Sequence, residues 1–422
     1  MMTPARRVIL AELDAVGKSA YLSEAEATLL AGTGLVEVRL AGGGDWRLLP
    51  CGKVGAVRIG DLDVQVRPKT DIAQLIFLLG YAADPGFRPS DVEGISSGDL
   101  WPALTESVAR QADRALGPGV LHGYESRDEA LSLVRGRIRV GDQIARRPGM
   151  LLPLEVQYDD YGPDIPENQI LRTALRHMAK VPGLSKESRG RLARLDSRLD
   201  GVQVLQFREP LPTWRLSRVN SRYVPALRLA EIVLRDQSAE SGQGGVAVAS
   251  FVVSMPKVFE DFVTVALREA LAGSPGETDG QYPGHLDEKK FIKIRPDIVH
   301  VRNDVPDAVF DAKYKLEDDS SGYPNADAYQ MLAYCTALRL KRGWLVYAEG
   351  TSSAAHQVLN TEISIVPYPL DLTASPTALL SQVQHLADQA IDSSIRLCIE
   401  AYGCAVSWVA AAIPAVRALR GI

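Results

Sequence analysis

The chain has 422 residues, 46% hydrophobic and 23% charged, with a formal net charge of -5; this is an ordinary globular balance with room for about two to four domains. Four cysteines without a Cys-x-x-Cys pair and six scattered histidines argue against structural zinc and a disulfide scaffold, and they fit a reducing cytoplasm. A net negative chain is not drawn to nucleic acid by its overall charge, so any such binding rests on local patches.

Residues 1–115 read as a β-rich module with helices. The opening residues 1–13 lack the apolar core of a signal peptide. A helix is predicted over 23–31, then short β-prone pieces at 35–40, 46–49, 54–59 and 62–66, punctuated by glycine. The AGGGD stretch at 41–45 has no following Gly-Lys-Ser/Thr; it is read as a hairpin turn rather than a phosphate cradle. No nucleotide is expected to bind this chain itself. Residues 72–81 (IAQLIFLLGY) predict a helix apolar most of the way round, hence buried. A second helix is predicted over 100–115.

Residues 116–250 form an arginine-rich, mostly helical middle region in this reading. Extended tracts such as 131–140 precede a turn at 160–165 and an amphipathic helix at 167–178, with further helices at 184–199 and 219–234. Arginines gather at 135–147, 189–198 and 215–222, which makes them candidates for DNA tracking or partner contact. The polar, Gly-rich stretch 237–246 is the best candidate linker. Residues 251–370 come next, and 371–422 are expected to form one or two tail helices. Within that tail 401–419 is apolar, but Pro414 and Arg417 interrupt it; a docking helix fits better than a membrane span of about 20 apolar residues.

The chemistry concentrates in 251–370. Residues 291–301 (FIKIRPDIVHV) and 308–315 (AVFDAKYK) read as two strands joined by a polar turn at 302–307, in which Asp304 and Asp307 are turn residues. Asp311 and Lys313 are two apart, so on a strand both leave one face. Asp297 lies on the neighbouring strand if the turn closes a hairpin. Two carboxylates and an ammonium on one surface make an expensive cluster unless a cation pairs them; Asp oxygens suit Mg2+ or Mn2+. A helix over 256–271 carries Glu260. Gln330 and Tyr334 are four apart, on one helix face. Strands at 344–348 and 363–366 complete the expected sheet. For each residue a plainer role exists: a solvated pair, a helix-end charge, or ordinary core for Tyr334.

Asp, then Asp-x-Lys, after a helix and before Gln-x-x-x-Tyr resembles the PD-(D/E)XK nuclease fold, in its RecB-type branch. The chain as a whole resembles the McrC family, the nuclease subunit of McrBC-type restriction systems that depend on 5-methylcytosine. The matching text runs through residues 64–82, 133–144 and 158–175, the VFEDFV helix, IRPDIV, FDAKYK and YQMLAY.

The resemblance implies an α+β / α/β multidomain chain: an N-terminal β-rich module with helices that docks a partner, a helical middle, and a C-terminal nuclease-like mixed sheet flanked by helices. It implies a Mg2+- or Mn2+-dependent DNA endonuclease in phage defence. Its partners would be a McrB-like AAA+ GTPase hexamer, which this chain stimulates, and double-stranded, methylated DNA, with no membrane. The implied catalytic set is Asp297, Asp311 and Lys313, with Glu260 and Gln330 beside them. Asp297, Asp311 and the Ala312 backbone carbonyl would hold the metal, while Tyr334 and Lys315 position substrate and Tyr314 faces away. A stand-alone RecB-like exonuclease and a non-catalytic scaffold are the competing readings. Robust cleavage of unmodified linear DNA with Mg2+ alone would favour the first.

Overall fold

The computed structural model describes residues 6–88, 100–181, 184–206, 209–235, 248–314, 325–350 and 354–391. It divides into two compact units, Met1–Val253 and Ser254–Ile422.

In the first unit the chain runs β1 (Arg6–Ala11), β2 (Lys18–Tyr21), α1 (Glu24–Thr33), β3 (Val36–Gly42), β4 (Asp45–Pro50), β5 (Lys53–Ile59) and β6 (Leu62–Arg67). Ser23 starts α1 with a reciprocal capping box: its hydroxyl accepts from the Glu26 N–H and Glu26 accepts from the Ser23 N–H. Gly43 and Gly44, both with positive φ, close the β3–β4 hairpin, so AGGGD is a turn. Next come α2 (Ile72–Ala83), α3 (Leu100–Leu116), β7 (Gly123–Leu131), β8 (Arg137–Ile138), α4 (Val140–Arg146) and β9 (Leu154–Gly162). Then follow α5 (Pro166–Ala179), α6 (Lys186–Arg198), α7 (Val224–Arg235) and β10 (Val248–Ser254). Three sheets result, ordered β2-β4-β3, β1-β6-β5-β10 and β7-β9-β8. As its composition predicts, α2 is buried nearly all round, through Leu75, Ile76, Phe77 and Leu78.

Two expectations change here, and a third narrows. Residue 115 ends no compact unit, because α3 packs on α5, α6 and α7. The turn predicted from 160 begins later, since β9 pairs with β7 as far as Gly162. Part of each arginine run is held by contacts within the chain, while Arg137, Arg189, Arg194, Arg215 and Arg218 stay exposed. Arg191 meets Asp113 and Glu106 at 2.6 and 2.8 Å, and Arg222 donates to the Ala115 and Gly119 carbonyls at 3.0 and 2.9 Å. Arg198 donates to the Leu116 carbonyl, Arg135 meets Asp160 at 2.7 Å and Arg147 meets Glu155 at 3.1 Å.

The second unit runs α8 (Met255–Leu271), β11 (Glu277–Gly280), β12 (Gly284–His285), β13 (Lys293–Ile294), β14 (Ile298–Arg302) and β15 (Val305–Lys313). It continues with α9 (Asn325–Leu338), β16 (Arg342–Tyr347), β17 (His356–Gln357), β18 (Ser364–Pro369) and α10 (376–391). A mixed sheet is ordered β11-β14-β15-β16-β18-β17: β15, β16 and β18 are mutually parallel and the flanking pairs antiparallel. The period of α8 buries Phe259, Phe262, Val263, Ala266 and Leu267, and Phe259 packs on the Tyr314 ring, 6.0 Å between centroids. The opposite sheet face, with Val299, Val309, Leu345 and Ile365, packs on Met331, Tyr334 and Cys335 of α9. Gly343 permits that approach: a Cβ there would lie 2.3 Å from Met331 Sδ.

Residues 291–301 do not make one strand. They split into β13, in a small β12–β13 ribbon, and β14 in the main sheet, with Pro296 and Asp297 at the break. Proline has no N–H to give a ladder, which explains where the strand parts. The turn after β14 is tighter than predicted. Asn303 and Asp304, at φ 52° and 62°, form a two-residue hairpin turn, while Asp307 lies in β15 and pairs with Arg302 at 3.0 Å. The predicted linker at 237–246, Lys315, and the apolar tail at 401–419 lie outside the described residues. Among the described residues no helix is long and apolar enough to cross a membrane.

Candidate active site

Strand parity puts Asp311 and Lys313 on the α9 face of β15, since alternate residues point the same way and Val309, two positions before, belongs to the core on that face. The Lys313 ammonium lies 2.5 Å from Asp311 Oδ2. That contact is a charge pair without hydrogen-bond angles for this oxygen. Asp311 is 1% exposed. Burial first, and then the neighbouring Asp297 charge, push its carboxyl up to about 7, with Lys313 working the other way. Such a carboxylate is one that a cation would relieve.

Asp297 sits just before β14, beside β15. The Ala312 N–H donates to its Oδ2 at 3.0 Å, which ties it to the strand bearing Asp311 and Lys313. From the α9 side a one-directional chain follows. Lys313 Nζ donates to Gln330 Oε1 at 2.9 Å, Gln330 Nε2 donates to the Tyr334 oxygen at 2.6 Å, and the Tyr334 hydroxyl reaches the Arg295 carbonyl at 3.4 Å. The four-residue spacing of Gln330 and Tyr334 is what lets them meet. Burial and the Asp311 charge raise Tyr334 to about 12, so its hydroxyl stays protonated and can donate.

Glu260 reaches the cluster only indirectly. Gln281, which no motif singled out, donates through Nε2 to Glu260 Oε1 at 2.6 Å and to Asp297 Oδ1 at 3.1 Å. Its own N–H donates to the Asp297 carbonyl at 2.7 Å. Gln281 adopts φ 53° to do this, a left-handed conformation costing on the order of 1 kcal/mol or more for a side-chain-bearing residue. The sole signal for it was its position just after a glycine at a strand end.

The structure therefore brings Asp297, Asp311, Lys313, Gln330 and Tyr334 into one connected cluster, with Glu260 one amide away. Among the described residues no three His, Cys, Asp or Glu side chains converge tightly enough to cage a metal by themselves. Two carboxylates with a nearby backbone carbonyl still fit Mg2+, which keeps several waters and takes only one or two carboxylates.

Comparison with known proteins adds the family. Among solved structures, the refined half-complex from the tetradecameric assembly of Thermococcus gammatolerans McrB AAA+ hexamers with bound McrC is similar in fold, at TM-score 0.57 and 18% identity over 90% of this chain and 91% of that one. The cryo-EM structure of the Thermococcus gammatolerans McrBC complex matches at TM-score 0.40 and 16% identity, over 64% of this chain and 89% of that one. No curated protein matches. The family described as McrBC 5-methylcytosine restriction system component matches residues 50–348, a span that takes in every described residue of the cluster, and the chain belongs to that family.

Proposed function

We propose that this chain is the McrC-like nuclease subunit of a modification-dependent restriction system, hydrolysing DNA phosphodiesters at Asp297, Asp311 and Lys313. The observation that carries the reading is the meeting of a buried carboxylate, a second carboxylate and an ammonium across β14 and β15, tied together by the Ala312 N–H.

Asp297, Asp311 and the Ala312 carbonyl would hold Mg2+ or Mn2+; when bound, such an ion supplies Lewis-acid charge stabilisation and lowers the pKa of a water. Lys313, held by Gln330, orients the attacking water and offers positive charge to the developing phosphorane oxygens. Tyr334 keeps the Gln330 amide turned so that its oxygen faces Lys313. The Gln281 amide bridges Glu260 and Asp297, donating a hydrogen bond to each. Backbone phosphates look alike in every sequence, so this centre does not choose bases. That choice falls to the partner, a McrB-like AAA+ GTPase hexamer; the reading draws support from the family and from the fold shared with a chain of the McrB–McrC assembly.

The test is cleavage of a methylated duplex by the full chain with its AAA+ partner, GTP and Mg2+. Asp311→Ala and Asp297→Ala are expected to lose cleavage while GTPase stimulation persists. Equal cleavage by wild type and Asp311→Ala would overturn the assignment. Equal inertness of both, with a competent partner present, would favour a scaffold.

A further inference from the structure

The β12–β13 ribbon gives the cluster no side chain; it touches it through the Arg295 carbonyl, which meets the Tyr334 hydroxyl. Its base is anchored, because Ile294 is buried in the core under α9, and Gly284 opposite leaves room for it. Its tip is a built turn. The Asp287 carboxylate accepts from the Ile292 N–H at 2.6 Å, the Asp287 carbonyl accepts from the Lys290 N–H at 3.1 Å, and the Leu286 N–H donates to the Ile292 carbonyl at 2.9 Å. The Ile292 N–H above all holds the Asp287 carboxyl below its ordinary range. Lys290 sits in the left-handed region at φ 59° to close the turn.

What this turn displays is unusual for a surface. Phe291 is 80% exposed and Ile292 53%, and Lys289, Lys290, Lys293 and Arg295 are exposed around them. None of these four cations has a carboxylate partner among the described residues, in contrast to the internally pinned arginines of the first unit. Asp287 is spent on the turn, which leaves Glu288 as the one other acid in 284–295. The ribbon runs straight into the site: Arg295 gives its carbonyl to Tyr334, and Asp297 follows two residues later. At roughly 3.3 Å per residue, the side chains from Lys293 back to Lys289 start within about 13–26 Å of Asp297, a reach of about four to eight base-pair steps.

We propose that the ribbon 284–295 is a DNA clip that grips the duplex beside the scissile phosphate. Lys289, Lys290, Lys293 and Arg295 meet backbone phosphates, and Phe291 packs against sugar or wedges at a base step, as exposed apolar side chains amid cations do in groove-binding proteins. The occupant is double-stranded DNA because the face combines unpaired positive charge with one rigid aromatic, and because it is continuous with the phosphodiesterase centre. The clip rests on the nuclease reading and adds to it where the substrate lies.

The test is binding of the full chain to a fluorescent 30-base-pair duplex in EDTA, by anisotropy across a salt series, so that cleavage plays no part. The triple variant Lys289→Ala, Lys290→Ala, Lys293→Ala is expected to bind more weakly, with a log–log salt slope shallower by about 2–3, close to 0.9 per lost phosphate contact. Lys→Arg at the same three positions should restore the slope. Phe291→Ala should lose affinity at unchanged slope, and Lys186→Ala, at an exposed position of α6, should change neither. Wild-type slope and affinity in the triple variant would overturn the clip, as would failure of the unaltered chain to bind the duplex. Loss of AAA+ partner binding with unaltered DNA binding would overturn it in favour of a protein contact. If the nuclease reading fails instead, the slope still changes while Mg2+-dependent cleavage is absent from every variant.

Discussion

Asp311→Asn separates the energetics of the site from its chemistry. The wild-type carboxyl is raised from 3.8 to about 7 in the folded chain, so the folded state binds this proton more tightly than the unfolded one. Its contribution is therefore greatest below pH 3.8 and is lost as pH rises through 7. Between pH 5.5 and 7 the slope is about 1.4 kcal/mol per pH unit, which makes the metal-free chain about 2 kcal/mol less stable at pH 8.5 than at pH 5.5 from this group alone. For a unit of roughly 170 residues that corresponds to about 4–8 °C in Tm. Asn keeps the shape and removes the charge. Thermal unfolding of both proteins in EDTA at pH 5.5 and 8.5 should show the wild type losing those degrees and Asp311→Asn retaining most of them, although the variant no longer cleaves DNA. A wild type whose stability is flat across that window, or a variant that falls in parallel with it, would refute the reasoning.

Further outcomes follow from the same contacts. Lys313→Ala should lower cleavage by about 10³-fold while circular dichroism and GTPase stimulation stay near wild type, because the change removes a charge that Asp311 outlives by staying protonated. At limiting Mg2+, the cleavage rate should fall about tenfold per pH unit below 7, because protons and metal compete for Asp311, and saturating Mg2+ should move that fall to lower pH. Gly343→Val drives a Cβ into Met331 Sδ and, at 2.7 Å, Cys335 Sγ; about 1–3 kcal/mol should be lost in urea unfolding, with cleavage reduced as α9 and Gln330 shift.

The parts of the site that sequence made legible are those governed by short, fixed periods. Parity on a strand paired Asp311 with Lys313, and a four-residue step on a helix paired Gln330 with Tyr334. The apolar residues 259, 262, 263, 266 and 267, spaced at a helical period, all lie on the buried face of α8. What escaped reading depends on partners far away in the chain. Gln281 acts through a left-handed turn and an amide that bridges groups 21 and 16 residues away. The break at Pro296 turned one predicted strand into a strand and a ribbon, since only the tertiary ladder reveals which apolar run joins the sheet. Arg191 and Arg222 read as part of a phosphate track until Asp113, Glu106 and the Ala115 carbonyl, remote in sequence, are seen to hold them.

Titration of the full chain with Mn2+ by calorimetry at pH 8 addresses the cation directly. Saturable binding by wild type that is lost in both Asp297→Ala and Asp311→Ala, and retained in a Lys186→Ala control, is the expected result. Identical isotherms for wild type and the two aspartate variants would contradict the account.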